Sequence, residues 1–118
     1  MSLADEAIAD LDLMIAEVGE PIRLLRRTTG PEGMRVSFEA KMRGNVRSAS
    51  PTDLVEPGAR ETVVVVSPTG LRSGRFPGLP RHADGIIIDS VGDTMEIMEV
   101  AATRINGDLV RVRLLCRG

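Results

Sequence analysis

Asp84, Asp89 and Asp93 come nearest to a metal-ligating set in this sequence. Their spacing departs from the alternating oxygen donors of a calcium loop. Acids at hairpin turns explain it more simply, because an Asp side chain hydrogen-bonds its own turn backbone. The stretch GIIIDSVGD, residues 85–93, has the glycines of a phosphate loop. No Lys-Ser or Lys-Thr follows it, and no helix opens after it. Ser67 and Ser73 lack the strand–turn–helix setting of a nucleophilic serine. His82 is the single histidine and has no acid, base or nucleophile beside it in the chain. It is read as a solvated loop residue or as part of an interface. Cys116 falls at an inward strand position, as an inert core thiol would. These residues point to no catalytic set, no metal and no cofactor, and the chain is expected not to be an enzyme.

The cationic groups offer more. Arg72, Arg75 and Arg81 share one Pro- and Gly-rich stretch, 67–84, with Phe76 and His82. A guanidinium recognises phosphate or carboxylate through paired N–H donors. These five residues are therefore read as an interface loop, facing DNA phosphates or acids on a partner subunit. Phe76 is either the apolar tip of that loop or folds back with Leu79 to cap the end of the β body. A second candidate surface is acidic: Asp5, Glu6, Asp10 and Glu17, with Asp12 among them. Residues 1–20 hold six acids and no base, a charge of −6, whereas residues 21–118 hold 11 acids and 15 bases, a charge of +4. Such polarity suits head-to-tail contact between copies. A solvated helix face is the plainer alternative.

The elements that must position these groups follow from periodicity. Leu3, Ala7, Ile8, Leu11, Met14, Ile15 and Val18 recur at helical spacing. Ser2 is placed as N-cap and Gly19 as the C-terminal stop, so the helix covers 1–19. Beyond Pro21 the period becomes two. A strand is expected over 22–28, a turn at 29–33, and a half-buried strand with Met34, Val36, Phe38, Ala40 and Met42 inward. Residues 45–58 read mostly as loop, and 62–66 as a strand buried on both faces. The stretch 67–84 has no period and is expected to be a long loop. Strand resumes at 86–88, and Val91-Gly92-Asp93 is expected to be a tight turn. Met95 and Ile97 lie in one phase, with Met98, Val100 and Ala102 in the other, which requires a bulge near 97–98. Asn106-Gly107 signals a hairpin. The last strand points Val110, Val112, Leu114 and Cys116 inward, with Arg111, Arg113 and Arg117 outward. The six methionines mostly fall at inward positions. The fold class is mainly β with an N-terminal α-helix, a small antiparallel barrel or sandwich of about six strands.

The 118 residues suffice for one domain, the helix at 1–19 and a β body at 20–118. No Trp, no Tyr and two Phe leave little for stacking on bases. The pI near 5.4 also lacks the basic footprint of a nucleic-acid sponge. No apolar run approaches the roughly 20 residues that cross a bilayer. The acidic start MSLADEAIAD does not read as a signal peptide. One cysteine fits a reducing, cytosolic birthplace.

Read in order, the second half carries a recognisable series. Arg60-Glu61-Thr62-Val63-Val64-Val65 precedes the Pro/Gly/Arg stretch. Asp84-Gly85-Ile86-Ile87-Ile88-Asp89 and the Gly92 turn follow, then Thr94-Met95-Glu96-Ile97-Met98-Glu99-Val100. Asn106-Gly107-Asp108 and the strand 110–115 close it. This series resembles the head–tail joining, or head-closure and connector, proteins of long-tailed bacteriophages and prophages, in particular the lambda-type joining and attachment family. Their opening helix is echoed by residues 9–22. The resemblance implies a structural role with no catalytic residues. Copies would form a ring beneath the portal or adaptor complex and create the surface on which the tail docks. Self-association would occur on assembly, with the chain a monomer in isolation. It would touch packaged DNA, contact no membrane, and reside in the virion after assembly in host cytoplasm. The alternative is a small-barrel nucleic-acid-binding module, and behind it an enzyme or ligand-binding domain.

Overall fold

The computed structural model describes residues 2–48 and 61–118. Helix α1 (Leu3–Val18) opens the chain, followed by β1 (Glu20–Gly30) and β2 (Gly33–Ser48). Then come β3 (Glu61–Val66), the short helix α2 (Pro68–Ser73), β4 (Gly85–Ile88), β5 (Thr94–Ile105) and β6 (Asp108–Arg117). All strand pairs are antiparallel, and the order β1-β2-β3-β6-β5-β4 closes on itself as a barrel. The expected fold class is therefore what the chain adopts.

α1 starts where a capping box can form. The Ser2 hydroxyl accepts from the Asp5 N–H at 3.1 Å, and the Asp5 carboxylate accepts from the Ser2 N–H at 3.4 Å. This satisfies amides that the first turn leaves without partners. Gly19 ends the helix for a reason other than a left-handed turn. Its φ is −76°, and a Cβ there would collide with the Ile15 carbonyl oxygen. The glycine is required by close approach, and the Arg43 guanidinium donates to its carbonyl.

The core has two compartments. Ile22, Leu24, Val64, Val66, Ile86, Ile88, Ile97, Val112, Leu114 and Cys116 fill the barrel. Val63, Val65 and Leu115 point the other way, onto Leu11 and Ile15 of α1. β3 is thus buried on both faces, as its unbroken valine run demanded. Each of these aliphatic side chains contributes about 1.5–3 kcal/mol by leaving water.

The bulge near 97–98 is present: β5 loses register to β6 between Ile97 and Glu99. A second bulge lies between Arg26 and Arg27 of β1. Asn106 and Gly107 take φ of 50° and 85°, the conformation a two-residue hairpin needs.

Several expectations are corrected. Leu3 and Val18 are exposed, and Ala4 is buried instead, because Ala4, Leu11 and Ile15 recur at seven and four residues on one face of α1 and Leu3 and Val18 fall to the side of it. Residues 45–48 belong to β2, and residues 49–58 of the expected loop lie outside the described residues. The stretch 67–84 contains α2. The turn after β4 is wider than three residues, with Gly92 at φ 90°. Met34, Val36 and Phe38 are not half-buried in a core. They lie on a hairpin arm that outruns the barrel, so Met34 is also not a core methionine.

Cys116 is fully enclosed, and burial pushes its thiol up to about 12. The unfolded chain therefore releases this proton first as pH rises. The contribution is full below the ordinary thiol value of 9.0 and declines from there to about 12. Relative to Cys116→Val, the wild type should lose about 1 kcal/mol of stability between pH 7 and pH 10 in urea titrations. Native protein at pH 8 should not react with a thiol reagent that labels the unfolded chain.

Candidate functional site

Strand direction fixes which groups meet. β1 and β5 run toward one end of the barrel, and β2 and β6 run away from it. The Pro31-Glu32 turn, the Asn106-Gly107 turn and the whole segment between β3 and β4 therefore share that end. All three loop arginines, His82 and Phe76 are there.

The segment folds by local rules. Ser67 caps α2, its hydroxyl accepting from the Thr69 N–H at 3.2 Å, and Pro68 follows at the first helical position. α2 ends with Arg75 in the left-handed region, φ 56°. The Arg75 N–H donates to the Arg72 carbonyl at 3.1 Å, and the Phe76 N–H to the Leu71 carbonyl at 3.0 Å. This is a Schellman ending, whose characteristic apolar contact joins the third-last position to the residue after the left-handed one. Those residues are Leu71 and Phe76, and both are buried.

Phe76 is therefore a plug, not an exposed tip. Its ring meets Phe38 edge-on with centroids 6.3 Å apart, and the Arg26 guanidinium carbon lies 4.9 Å from its centroid. Leu79 packs against the same core.

Asp84 locks this plug in place. Its side chain is 1% exposed. One carboxylate oxygen accepts from Arg26 Nε at 3.1 Å and from the Arg81 N–H at 3.1 Å, and the other accepts from the Arg27 N–H at 3.2 Å. Arg26 also donates to the Leu79 carbonyl at 2.7 Å, and Arg27 Nε to the Ala83 carbonyl at 2.8 Å. Ala83 is held at φ 74°, which an alanine tolerates only where its surroundings enforce it.

Arg72, Arg75, Arg81 and His82 are all exposed at this end. The arginine backbones are committed, Arg72 and Arg75 to each other in the helix ending and Arg81 to Asp84, while their side chains stand at the surface. The acidic residues divide. Asp5 is spent partly on the cap and lines a groove with Arg72, whereas Asp10 lines a different groove with Arg111. Glu6 and Glu17 are exposed. Asp12 faces α2 and accepts from the Thr69 hydroxyl at 2.6 Å. Glu6, Asp10 and Glu17 fall at i, i+4 and i+11 and share one face of α1, with Asp5 turned about 100° away from Glu6.

Asp89 pairs with Arg23, which also reaches Glu39, and Asp84 is engaged by Arg26. Among the described residues, no group of three or more His, Cys, Asp or Glu is placed to hold a metal ion. Among the same residues, no helix is long and apolar enough to cross a membrane.

Three features escaped the sequence: α2, Asp84 as anchor and the hairpin arm. The Ser67-Pro68 pair signals α2, and a lone acid directly before the buried GIII strand signals the anchor.

Removing the anchor should be costly, because it strands Arg26 in a mostly buried site. Asp84→Asn should lower stability by about 3 kcal/mol in denaturant titrations. Phe76→Ala should cost about 3 kcal/mol, and Arg75→Gly should gain about 1 kcal/mol by relieving the left-handed residue.

The sequence matches no protein-family model and no curated protein.

Proposed function

We propose that this chain is a structural subunit of a tailed bacteriophage or prophage particle. In this reading it forms a ring that joins the DNA-filled head, at its portal or adaptor complex, to the tail. One observation carries the proposal. Two hairpins, a plugged loop and the exposed Arg72, Arg75, Arg81 and His82 converge at one end of a closed barrel. A connector subunit needs such an end, because it must present different surfaces to what lies above it, below it and beside it. The exposed guanidiniums suit carboxylates of a partner or phosphates of packaged DNA.

The same arginines favour one competing reading, a barrel that binds nucleic acid on its own. That reading requires salt-sensitive binding by the isolated chain. The joining reading places the chain in particles.

The test is a sedimentation gradient of particles from an induced culture, probed for this protein. The chain should travel with tailed particles, and its deletion should leave full heads and free tails unjoined. Normal particles after deletion would refute the proposal. Arg72→Ala, Arg75→Ala and Arg81→Ala combined should abolish joining with an unchanged melting temperature, and normal joining would remove these residues from the site.

A further inference from the structure

Asn106-Gly107 and Asp84-Gly85 each put a glycine directly after a side-chain carbonyl that the glycine nitrogen can attack. A glycine has no side chain to hinder that approach, and the ring that would close is a five-membered succinimide. The fold treats the two places oppositely.

Asn106-Gly107 is the tip of the β5–β6 hairpin, and both residues are exposed. A Cβ placed on Gly107 would meet nothing within 4 Å. The tip is also supported from one side alone. β5 pairs with β4 only as far as Glu96, and from Glu99 to Ile105 it pairs with β6 and, among the described residues, with no other strand. Attack requires the left-handed turn, φ 50° at Asn106, to open first. At a hairpin end held by one neighbour, that opening is a local event that leaves the barrel closed. The hydrogen bond at this turn runs from Arg104 Nη1 to the Gly107 carbonyl at 3.4 Å, which leaves the Asn106 carboxamide able to rotate.

Asp84-Gly85 is held from every side. Gly85 is buried between Leu25 of β1 and Glu96 of β5. The Asp84 carboxylate is tied to Arg26 Nε and to the N–H groups of Arg27 and Arg81. Ring closure there would have to break all of these bonds and part the strands.

We infer that Asn106 is a modification site of the folded chain, converted to aspartate and isoaspartate with water as the co-reactant. The Gly107 nitrogen loses its proton to solvent and bonds to Asn106 Cγ. The Cγ–Nδ2 bond breaks, and the nitrogen leaves as ammonia with a proton returned to it. Water then opens the succinimide at either carbonyl, one opening giving aspartate and the other isoaspartate. Nothing is oxidised or reduced. Either product adds a negative charge to a turn that already holds Arg104 and Asp108, at the end where the exposed arginines gather. Isoaspartate also routes the main chain through Cβ, a lengthening that the two-residue turn pairing Ile105 with Asp108 cannot absorb. The inference stands apart from the joining reading.

The test is a time course on the full chain, native at pH 8 and unfolded in guanidinium chloride at the same pH, with tryptic peptides read by mass spectrometry. Peptide 105–111 should gain about 1 Da as its amide becomes an acid, in the native chain as in the unfolded one. The native rate should lie within about a hundredfold of the unfolded rate, as opening of a hairpin tip allows, and a slower native rate would overturn the site. Enzymatic methyl labelling of isoaspartate should mark peptide 105–111 in both samples. It should mark peptide 82–104, which holds Asp84, in the unfolded sample alone. Equal labelling of the two peptides in the native chain would refute the protection of Asp84. Asn106→Gly keeps the left-handed turn. It should abolish the acidic species seen by ion exchange, with an unchanged melting temperature. Asn45, followed by Val46 inside β2, should stay unconverted in the native chain. Acidic species that persist in Asn106→Gly would show that the reaction lies elsewhere.

Discussion

One buried carboxylate sets the shape of the working end. Asp84 sits where β4 begins, and it is bonded to β1 through Arg26 and Arg27 and to its own loop through Arg81. Charge in so dry a place is tolerable only with partners on every side. The chain supplies them from three segments at once. With those segments tied together, Phe76 is held over the barrel mouth, and the Arg26 guanidinium lies over its ring. Exposed arginines then have a rigid base, which a structureless loop of this length would not provide.

The rest of the molecule supports that base from outside. β3 and the end of β6 carry apolar side chains on both faces, so a helix is needed to cover the outer ones. α1 does so through Leu11 and Ile15, and Asp12 ties it to α2 by way of Thr69. At the far end of β3 and β6, the enclosed Glu61 carboxylate meets Arg117 at 2.7 Å. The barrel is thus braced by an ion pair near each end with hydrocarbon between.

The strands and the helix were legible because their signals are local. The valine run, the phase change at Met98 and the Asn106-Gly107 pair each act through nearest neighbours. The plug was legible only as one of two options for Phe76, since choosing between them depends on where Phe38 and Arg26 arrive. The arm was misread because Met34, Val36 and Phe38 alternate as a core strand does. Alternation reports two unlike faces, not what lies against either. Asp84 looked like a turn acid, since its partners are 57 or 58 residues away on β1. Of the acidic residues of α1, Glu6, Asp10 and Glu17 share a face by helical spacing, while Asp5 and Asp12 are turned to the cap and to α2.

The filled interior has a consequence for transport. Ile22, Leu24, Val64, Ile86, Ile97 and Leu114 occupy the lumen, and Phe76 stoppers one mouth. A single chain therefore offers no conduit. Any passage for a long polymer has to be walled by several copies standing around a shared axis. Its bore would be set by their number and tilt, not by the width of the individual fold.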